Sequence, residues 1–302
     1  MKHGAKWITI VCLFSAFTCP AFAGSKVSVF VSVLPQKYFV QQICNSLVDV
    51  NVMVQPGASP SIYEPKPSQM AALSKARIYF AVGAPFEQFW LEKFAAANRE
   101  MLVVHTDKGI KKRVMAGHHH HGKNPHETDS HHEEGHEDEP QGEDPHVWLS
   151  PRRVITQVNT MVSALKKADP AHADTFEKNG QAFVNRIRML DKELTRLFAG
   201  RSNAAFMVFH PSWGYFADDY GLEQVAIETE GKEPKPAQLR KLIAHAREDN
   251  IRVIFAQPQF SVKSAELIAR EINARVVFAD PLALEWTDNL RKIAHQVSEA
   301  LR

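Results

Sequence analysis

The chain has 302 residues, of which 44% are hydrophobic, with 36 Lys or Arg, 34 Asp or Glu and 15 His. This length suffices for two domains of ordinary size, which excludes a small scaffold held together by disulfides or metal ions. The near balance of charge excludes a strongly basic nucleic-acid-binding surface.

The first 23 residues have the layout of a cleavable secretory signal. Lys2 and Lys6 precede an apolar run over 7–17, and a small-residue cleavage site ends at Ala23. The apolar run is too short to span a bilayer. Cleavage would leave 34 basic against 34 acidic residues and a single cysteine, too few for an intramolecular disulfide. We therefore expect a signal over 1–23 and a periplasmic location.

The N-terminal part predicts strands and helices in alternation. Short runs rich in Val, Ile and Phe indicate strands, and longer runs between Pro and Gly turn signals indicate helices. The predicted strands are 26–33, 48–54, 77–82 and 101–104, and the predicted helices are 36–44, 67–75 and 85–97. Such alternation favours a mainly parallel sheet with right-handed crossovers.

A segment rich in histidine and acid follows the fourth predicted strand. From 118 to 139 it holds eight His, seven Asp or Glu and one Lys, so it has too few apolar side chains to bury a core. Neutral imidazole beside carboxylate is a ligand mixture that zinc accepts. We predict a metal-collecting loop over 117–143, with a solvated acidic linker as the alternative. Its candidate ligands are His118, His119, His120, His121, His126, His131, His132 and His136.

Two helices are predicted after this loop, over 152–167 and from 169 to about 198. The second has an apolar stripe at helical spacing, which predicts one buried face. At ~1.5 Å per residue it would extend roughly 40 Å, enough to join two lobes as a rigid spine.

The rest of the chain again predicts alternating strands and helices. The strands are 205–209, one near 225, 252–256 and 274–278, and the helices begin near 212, 236, 262 and 286. We therefore predict an α/β protein with two lobes, each a mainly parallel sheet flanked by helices. The predicted divisions are an N-terminal lobe over 24–168, a linking helix over 169–199 and a C-terminal lobe over 200–302.

Three potential metal ligands lie at similar places in these predicted elements. His210 directly follows the fifth predicted strand, and Asp280 follows the eighth. His146 lies just before a helix N-terminus at Ser150-Pro151. Ligands of open α/β sheets bind beyond the carboxyl ends of the strands, so the three side chains can converge in one crevice and hold zinc. Taken singly, each histidine is also compatible with a hydrogen-bonded core residue, and the aspartate with the start of a turn.

Four segments carry a resemblance to a known family. They are PGASPSIYEP at 56–65, DPHVWLSP at 144–151, FHPSWGYF at 209–216 and DPL at 280–282. Together they resemble the periplasmic metal-binding proteins of zinc and manganese ABC transporters, the ZnuA/TroA-like family, over essentially all of 25–302. The resemblance implies two α/β lobes joined by a long helix, a metal ion between them, and delivery to a membrane permease. In this family a histidine-rich acidic loop is associated with zinc rather than manganese import.

One position departs from the family pattern. The family's first ligand is a histidine in the PGASPS turn, where this chain has Ser61. A neutral hydroxyl is a poor zinc ligand, so the resemblance implies His146, His210, Asp280 and a fourth ligand. Water, Glu64 and a histidine of the loop are the candidates, and water is favoured.

We therefore predict a monomeric carrier, not an enzyme, that captures Zn(II) as its metal and passes it to an ABC permease, without a nucleic-acid partner. A manganese or iron carrier of the same type is the first alternative, and a nickel or copper buffer acting through the loop alone is another. A zinc hydrolase with three protein ligands and water is the enzymatic alternative. Against it stands the lack of a His-Glu-x-x-His segment beside His146, His210 or Asp280, since the one run of this kind, at 132–136, belongs to the histidine-rich loop.

Overall fold

A computed structural model describes residues 26–115, 142–228 and 232–301. The predicted secretory signal and most of the predicted collecting loop, including all eight of its histidines, lie outside these ranges. The elements within the described ranges follow the predicted order, and their bounds differ from the predicted ones by a few residues.

The N-terminal elements form a four-stranded parallel sheet flanked by helices. In chain order they are β1 (Val27–Val31), α1 (Leu34–Cys44), β2 (Val48–Val52), α2 (Pro67–Leu73), β3 (Ile78–Ala81), α3 (Glu87–Ala97) and β4 (Leu102–His105). The strand order is β2-β1-β3-β4. All four residues of the inner strand β3 are buried, as expected for a parallel strand covered on both faces.

Two long helices follow. They are α4 (Pro151–Ala168) and α5 (Ala173–Leu197). Ser150 caps α4, because its side chain accepts a hydrogen bond from the Arg153 N–H at 3.2 Å. The start of α5 lies four residues beyond the predicted one, since Pro170–His172 forms a separate 3-10 turn. The predicted stripe along α5 is buried at Phe176, Phe183, Ile187, Leu190 and Leu194.

The C-terminal elements form a second parallel sheet with the same pattern. They are β5 (Ala205–Val208), α6 (Gly214–Tyr220), β6 (Glu223–Ala226), α7 (Pro236–Glu248), β7 (Val253–Ala256), α8 (Lys263–Ile272), β8 (Arg275–Phe278) and α9 (Trp286–Ala300). The strand order is β6-β5-β7-β8. Both halves therefore have the predicted architecture, and α5 is the long helix that joins them.

The last helix packs back against the N-terminal half. The Trp286 ring meets Phe39 of α1 edge-on at 5.2 Å between centroids. Its indole N–H donates to the Trp148 carbonyl at 2.6 Å, and the Trp148 indole N–H donates to the Pro281 carbonyl at 2.9 Å. One apolar cluster consequently runs from α1 through α5 to α9.

Within the described ranges, no helix combines the length and the apolar character that crossing a bilayer would require. Cys44 is fully buried in α1, and burial raises the pKa of its thiol to about 12, with the charge of Asp169 adding to the rise. This environment is that of a packing residue and not of a reactive thiol.

Candidate metal centre

The carboxyl ends of the second sheet carry one polar side chain per strand. His210, Glu228 and Asp280 each lie two residues beyond the ends of β5, β6 and β8. Gln257 directly follows β7. Because the strands are parallel, their ends lie along one edge of the sheet, where open α/β folds bind ligands.

His210 is held from two sides. Its backbone N–H donates to Gln257 Oε1 at 3.0 Å, and Gln257 Nε2 donates back to the His210 carbonyl at 2.8 Å. The ring nitrogen Nδ1 lies 2.5 Å from Glu228 Oε1. A carboxylate only accepts hydrogen bonds, so Nδ1 carries the proton and the lone pair of the neutral ring is on Nε2.

Burial keeps this ring neutral. It lowers the pKa of His210 below its ordinary value, although Glu228 acts in the opposite direction. The Phe260 ring stacks on the imidazole at 4.6 Å between centroids, which adds to its exclusion from water. His210 therefore presents an unprotonated nitrogen at neutral pH, as a metal ligand must.

His146 is held by the aspartate two residues before it. Asp144 Oδ1 accepts from the His146 backbone N–H at 2.9 Å and lies 2.8 Å from its Nδ1. The prediction placed His146 immediately before a helix at Ser150. The structure instead inserts a 3-10 turn, Val147–Leu149, which His146 precedes. The carboxylate again fixes the proton on Nδ1 and leaves the Nε2 lone pair free.

The two histidines meet across the two halves of the chain. Their ring centroids are 5.2 Å apart and the ring planes are at 73°. Both residues are buried, and Trp148 meets His146 edge-on at 5.2 Å. The structure therefore brings two of the three predicted ligands into direct contact.

Asp280 is connected to the surroundings of His210 through Gln259 and Phe260. Its Oδ1 accepts from Gln259 Nε2 at 2.8 Å and from the Leu282 backbone N–H at 2.9 Å, which leaves Oδ2 available. Gln259 adjoins Phe260, which stacks on His210. Among the side chains that the structure describes, no group of three or more His, Cys, Asp or Glu is already arranged to hold a metal ion. The three-ligand site thus stays a prediction.

The two residues considered for the remaining position are on the surface. Ser61 and Glu64 are both exposed, in the turn that follows β2. The Ser61 backbone N–H donates to Ser59 Oγ at 3.2 Å, and Tyr63 anchors the turn by donating to Gln69 Oε1 at 2.8 Å. Glu64 stays a prediction as a weak fourth ligand.

Sequence reasoning missed the residues that orient the histidines. Glu228 and Gln257 contact His210 only because β6 and β7 flank β5, and nothing in their local sequence indicates a site. Asp144 lies within the DPHVWLSP segment, from which no role for it is predicted. Its spacing of two residues from His146 was the available signal, since Asp often accepts from the backbone N–H two positions on.

Comparison with known proteins identifies the family. The family described as "ZnuA: Zinc-uptake complex component A periplasmic" matches residues 29–300. The chain is 30% identical over 253 residues to "High-affinity zinc uptake system protein ZnuA" of Bacillus subtilis, covering 82% of this chain and 75% of that protein. It is 28% identical over 274 residues to "Zinc-binding protein AdcA" of Streptococcus pyogenes serotype M1, covering 86% of this chain. The chain spans about half the length of AdcA, 51%.

Solved structures give the same assignment. A crystal structure of ZnuA is 40% identical with a TM-score of 0.81, covering 92% of this chain and 100% of that one. A ZnuA deletion mutant with zinc bound is also 40% identical, with a TM-score of 0.80, covering 91% of this chain and 98% of that one. The match over nine-tenths of the sequence shows that the chain belongs to the ZnuA family of periplasmic zinc-uptake components.

Proposed function

We propose that this protein captures Zn(II) outside the cytoplasm, between its two lobes, and delivers it to the membrane permease of an ABC importer. Support comes from the family assignment and from relatives named for zinc uptake or zinc binding. The predicted signal over 1–23 would direct the chain to the periplasm. Monomeric carriage and the identity of the permease partner are parts of the same proposal.

The observation that carries the proposal is the spacing of the two imidazoles. A zinc ion lies ~2.0 Å from a ligating nitrogen, hence about 3.2 Å from the ring centroid, and tetrahedral geometry would put two such centroids about 5.2 Å apart. The centroids of His146 and His210 are 5.2 Å apart. Because Nδ1 of both rings faces a carboxylate, Nε2 is the ligating atom on each.

Asp280 supplies the third ligand through Oδ2 in this proposal. Its other oxygen is engaged by Gln259 and Leu282, which limits rotation of the carboxylate. The fourth position belongs to water, Glu64 or a histidine of the collecting loop, because Ser61 is a poor ligand. Two imidazoles with one carboxylate suit zinc better than manganese, which prefers a richer oxygen set.

The loop histidines act as a local metal collector beside this site. The loop base lies close to His146, since the Met115 N–H donates to the Gly142 carbonyl at 3.0 Å and the Asp144 N–H donates to the Arg113 carbonyl at 2.8 Å. Metal held weakly by the loop would therefore be released near the crevice. This role raises capture at low zinc concentration, whichever of the three candidates fills the fourth position.

The family assignment and the arrangement of the side chains around the histidines fit a zinc carrier better than a zinc hydrolase. The family is one of solute-binding components, and the described histidines are oriented by carboxylates that already accept hydrogen bonds. Asp144 and Glu228 each accept from a histidine through one oxygen, which is the positioning role of a carboxylate behind a metal ligand. Esterase, peptidase and lactamase assays on zinc-loaded protein should give no activity above free zinc.

Zinc titration against a chelator at pH 7 tests the proposal. We expect one tight site and several weaker ones in the wild type. Changing both His146 and His210 to Ala should remove the tight site, whereas deleting 118–139 should remove only the weaker ones.

Anomalous scattering on either side of the zinc edge from a loaded crystal would identify the element and its ligands together. Tight binding that survives the double substitution would contradict the proposal, and so would an ion placed away from His146 and His210.

A further inference from the structure

Arg113 lies directly across from the aspartate that orients His146. Val114 and Glu143 form an antiparallel bridge, which places the two neighbouring residues, Arg113 and Asp144, side by side. The Asp144 N–H donates to the Arg113 carbonyl at 2.8 Å. Backbone hydrogen bonding therefore holds Arg113 and Asp144 next to each other, independently of their side chains.

The guanidinium of Arg113 lies between two carboxylates. Its Nε is 4.0 Å from Asp144 Oδ2, and its Nη1 is 3.4 Å from Asp218 Oδ1 on α6. The Asp144 side chain is only 2% exposed, whereas that of Asp218 is 45% exposed. A buried carboxylate interacts with a nearby cation much more strongly than an exposed one, so the attraction to Asp144 is the larger of the two.

Gly214, the first residue of α6, provides the space for this arrangement. A Cβ atom there would lie 2.0 Å from Arg113 Nη1, 2.7 Å from its Cζ and 3.0 Å from Asp144 Oδ2. Any other residue would therefore push the guanidinium away from the carboxylate. Glycine is otherwise a weak helix former, so its use at this point is explained by the close approach of Arg113.

Tyr215 joins the backbones of Arg113 and Asp144. Its hydroxyl donates to the Asp144 carbonyl at 2.8 Å and accepts from the Arg113 N–H at 3.1 Å. The second oxygen of Asp144, Oδ1, accepts from both N–H groups of His146. One carboxylate thus faces the arginine with Oδ2, at ion-pair distance, and accepts from the histidine through Oδ1.

We propose that Arg113 is a positioning residue for zinc capture, acting through Asp144 on the imidazole of His146. The inference rests on the proposed function, because it assumes that His146 is a ligand. By fixing the direction of the Asp144 carboxylate, Arg113 fixes the rotation of the imidazole and the proton on Nδ1. Outer partners of metal ligands typically change affinity about 10- to 100-fold when they are removed.

Arg113 also touches α6, so a general loosening of the contact between the lobes is the competing explanation. Arg153 provides a matched control. It lies over the same Tyr215 ring, 4.5 Å from the centroid, and pairs with Asp219 of α6 at 2.8 Å. Its carboxylate partner is Asp219 rather than Asp144, so it also contacts α6 but does not pair with the carboxylate that orients His146.

The experiment compares Arg113→Gln, Arg113→Lys, Gly214→Ala and Arg153→Gln with the wild type. Zinc affinity is measured by chelator competition, stability by thermal unfolding, and the His146 tautomer by the imidazole 15N shifts of the metal-free protein. We expect Arg113→Gln and Gly214→Ala to weaken zinc binding about tenfold and to shift the His146 signals. Arg113→Lys, which keeps the charge, should be affected less.

Gly214→Ala and Arg153→Gln separate an effect on the orientation of His146 from an effect on protein stability. Gly214→Ala should leave the melting temperature unchanged or higher while weakening zinc binding. Arg153→Gln should lower the melting temperature and leave zinc affinity within twofold. Equal weakening by Arg153→Gln and Arg113→Gln, or unchanged His146 shifts in Gly214→Ala, would overturn the inference.

Failure of the proposed function would look different. If the wild type itself lacked a tight zinc site, the function would be wrong, and the 15N shifts would still decide whether Arg113 positions His146. If the wild type and Arg113→Gln bound zinc equally while His146→Ala did not bind it, only the positioning role would be wrong.

Discussion

Asp144 and Glu228 hold the Nδ1 sides of His146 and His210 at 2.8 and 2.5 Å. The first contact is local, because the aspartate lies two residues before its histidine. The second depends on the pairing of β5 with β6, which brings a residue 18 positions away against the ring. The carboxylate that contacts His146 is therefore supplied by the same turn, whereas the one that contacts His210 is supplied by the neighbouring strand of the sheet.

Glu228→Gln tests this dependence at the level of one residue. The variant keeps the shape and an accepting oxygen but loses the charge that makes the His210 nitrogen a better ligand. We expect zinc affinity to fall about 10- to 100-fold, measured by chelator competition. Glu223→Gln, at the exposed first position of β6, is the control and should bind zinc like the wild type. Equal affinities in both variants would show that Glu228 does not tune the ligand.

Another buried carboxylate, Glu87, lies at the carboxyl end of the first sheet. It accepts from the Val82 N–H at 3.0 Å, the Gly83 N–H at 2.8 Å and the Ser32 hydroxyl. Desolvation raises its pKa from 4.5 to about 7 in spite of these hydrogen bonds. The folded state therefore binds a proton more tightly than the unfolded state does.

The raised pKa of Glu87 makes the folded protein more stable at low pH than at high pH. The contribution of Glu87 is fully present below pH 4.5 and is lost as pH rises through about 7. A shift of this size corresponds to about 3 kcal/mol of unfolding free energy. Denaturant unfolding at pH 5 and pH 8 should show this loss in the wild type relative to Glu87→Gln. Identical pH profiles for the two proteins would refute the assignment.

At the scale of elements, the close packing of α4 against α5 depends on Gly180. A Cβ atom at this position would lie 2.4 Å from Val162 Cγ2 on α4. Glycine inside a helix costs about 1 kcal/mol relative to alanine, so its presence in the middle of α5 is explained by the approach of the neighbouring helix. The two helices thus meet along a shared buried face.

Gly180→Ala should therefore destabilise the protein despite the better helix former. Overpacking of this kind costs about 1–3 kcal/mol, which exceeds the gain in helix propensity of about 1 kcal/mol. In a Val162→Ala background the clash is absent, and the same substitution should become stabilising. Denaturant unfolding of the four proteins in a double-mutant cycle gives the coupling between the two sites. Additive effects would mean that the helices do not touch at this point.

At the scale of the whole molecule, the sequence predicted the two parallel sheets and the long helix because each depends on a periodic pattern along the chain. It also predicted that His210 and Asp280 lie just beyond strand ends, since strand ends can be recognised from such patterns. It did not predict the 3-10 turn at Val147–Leu149, because three apolar residues show no period. The contact between Glu228 and His210 depends on the order of the strands in the sheet. No short segment of sequence determines that order.

The contact between the two lobes also arises only in the folded molecule. Trp286 of α9 is almost fully buried and meets Phe39 of α1, while its N–H donates to the Trp148 carbonyl. The apolar cluster around it includes residues of both halves and of the linking helix. Since the main core is shared in this way, we expect the two lobes to unfold together and not as independent domains.

Unfolding followed by tryptophan fluorescence and by far-UV circular dichroism should therefore give coincident transitions in the wild type. Trp286→Ala should lower stability by about 3–5 kcal/mol and separate the two transitions, because it removes the contact that couples the lobes. Trp90→Ala is the control, since Trp90 is half-buried and packs on Phe94 of its own helix. Trp90→Ala should lower stability while fluorescence and circular dichroism still report coincident transitions. Two separate transitions in the wild type would show that the lobes are energetically independent, despite the buried contact between them.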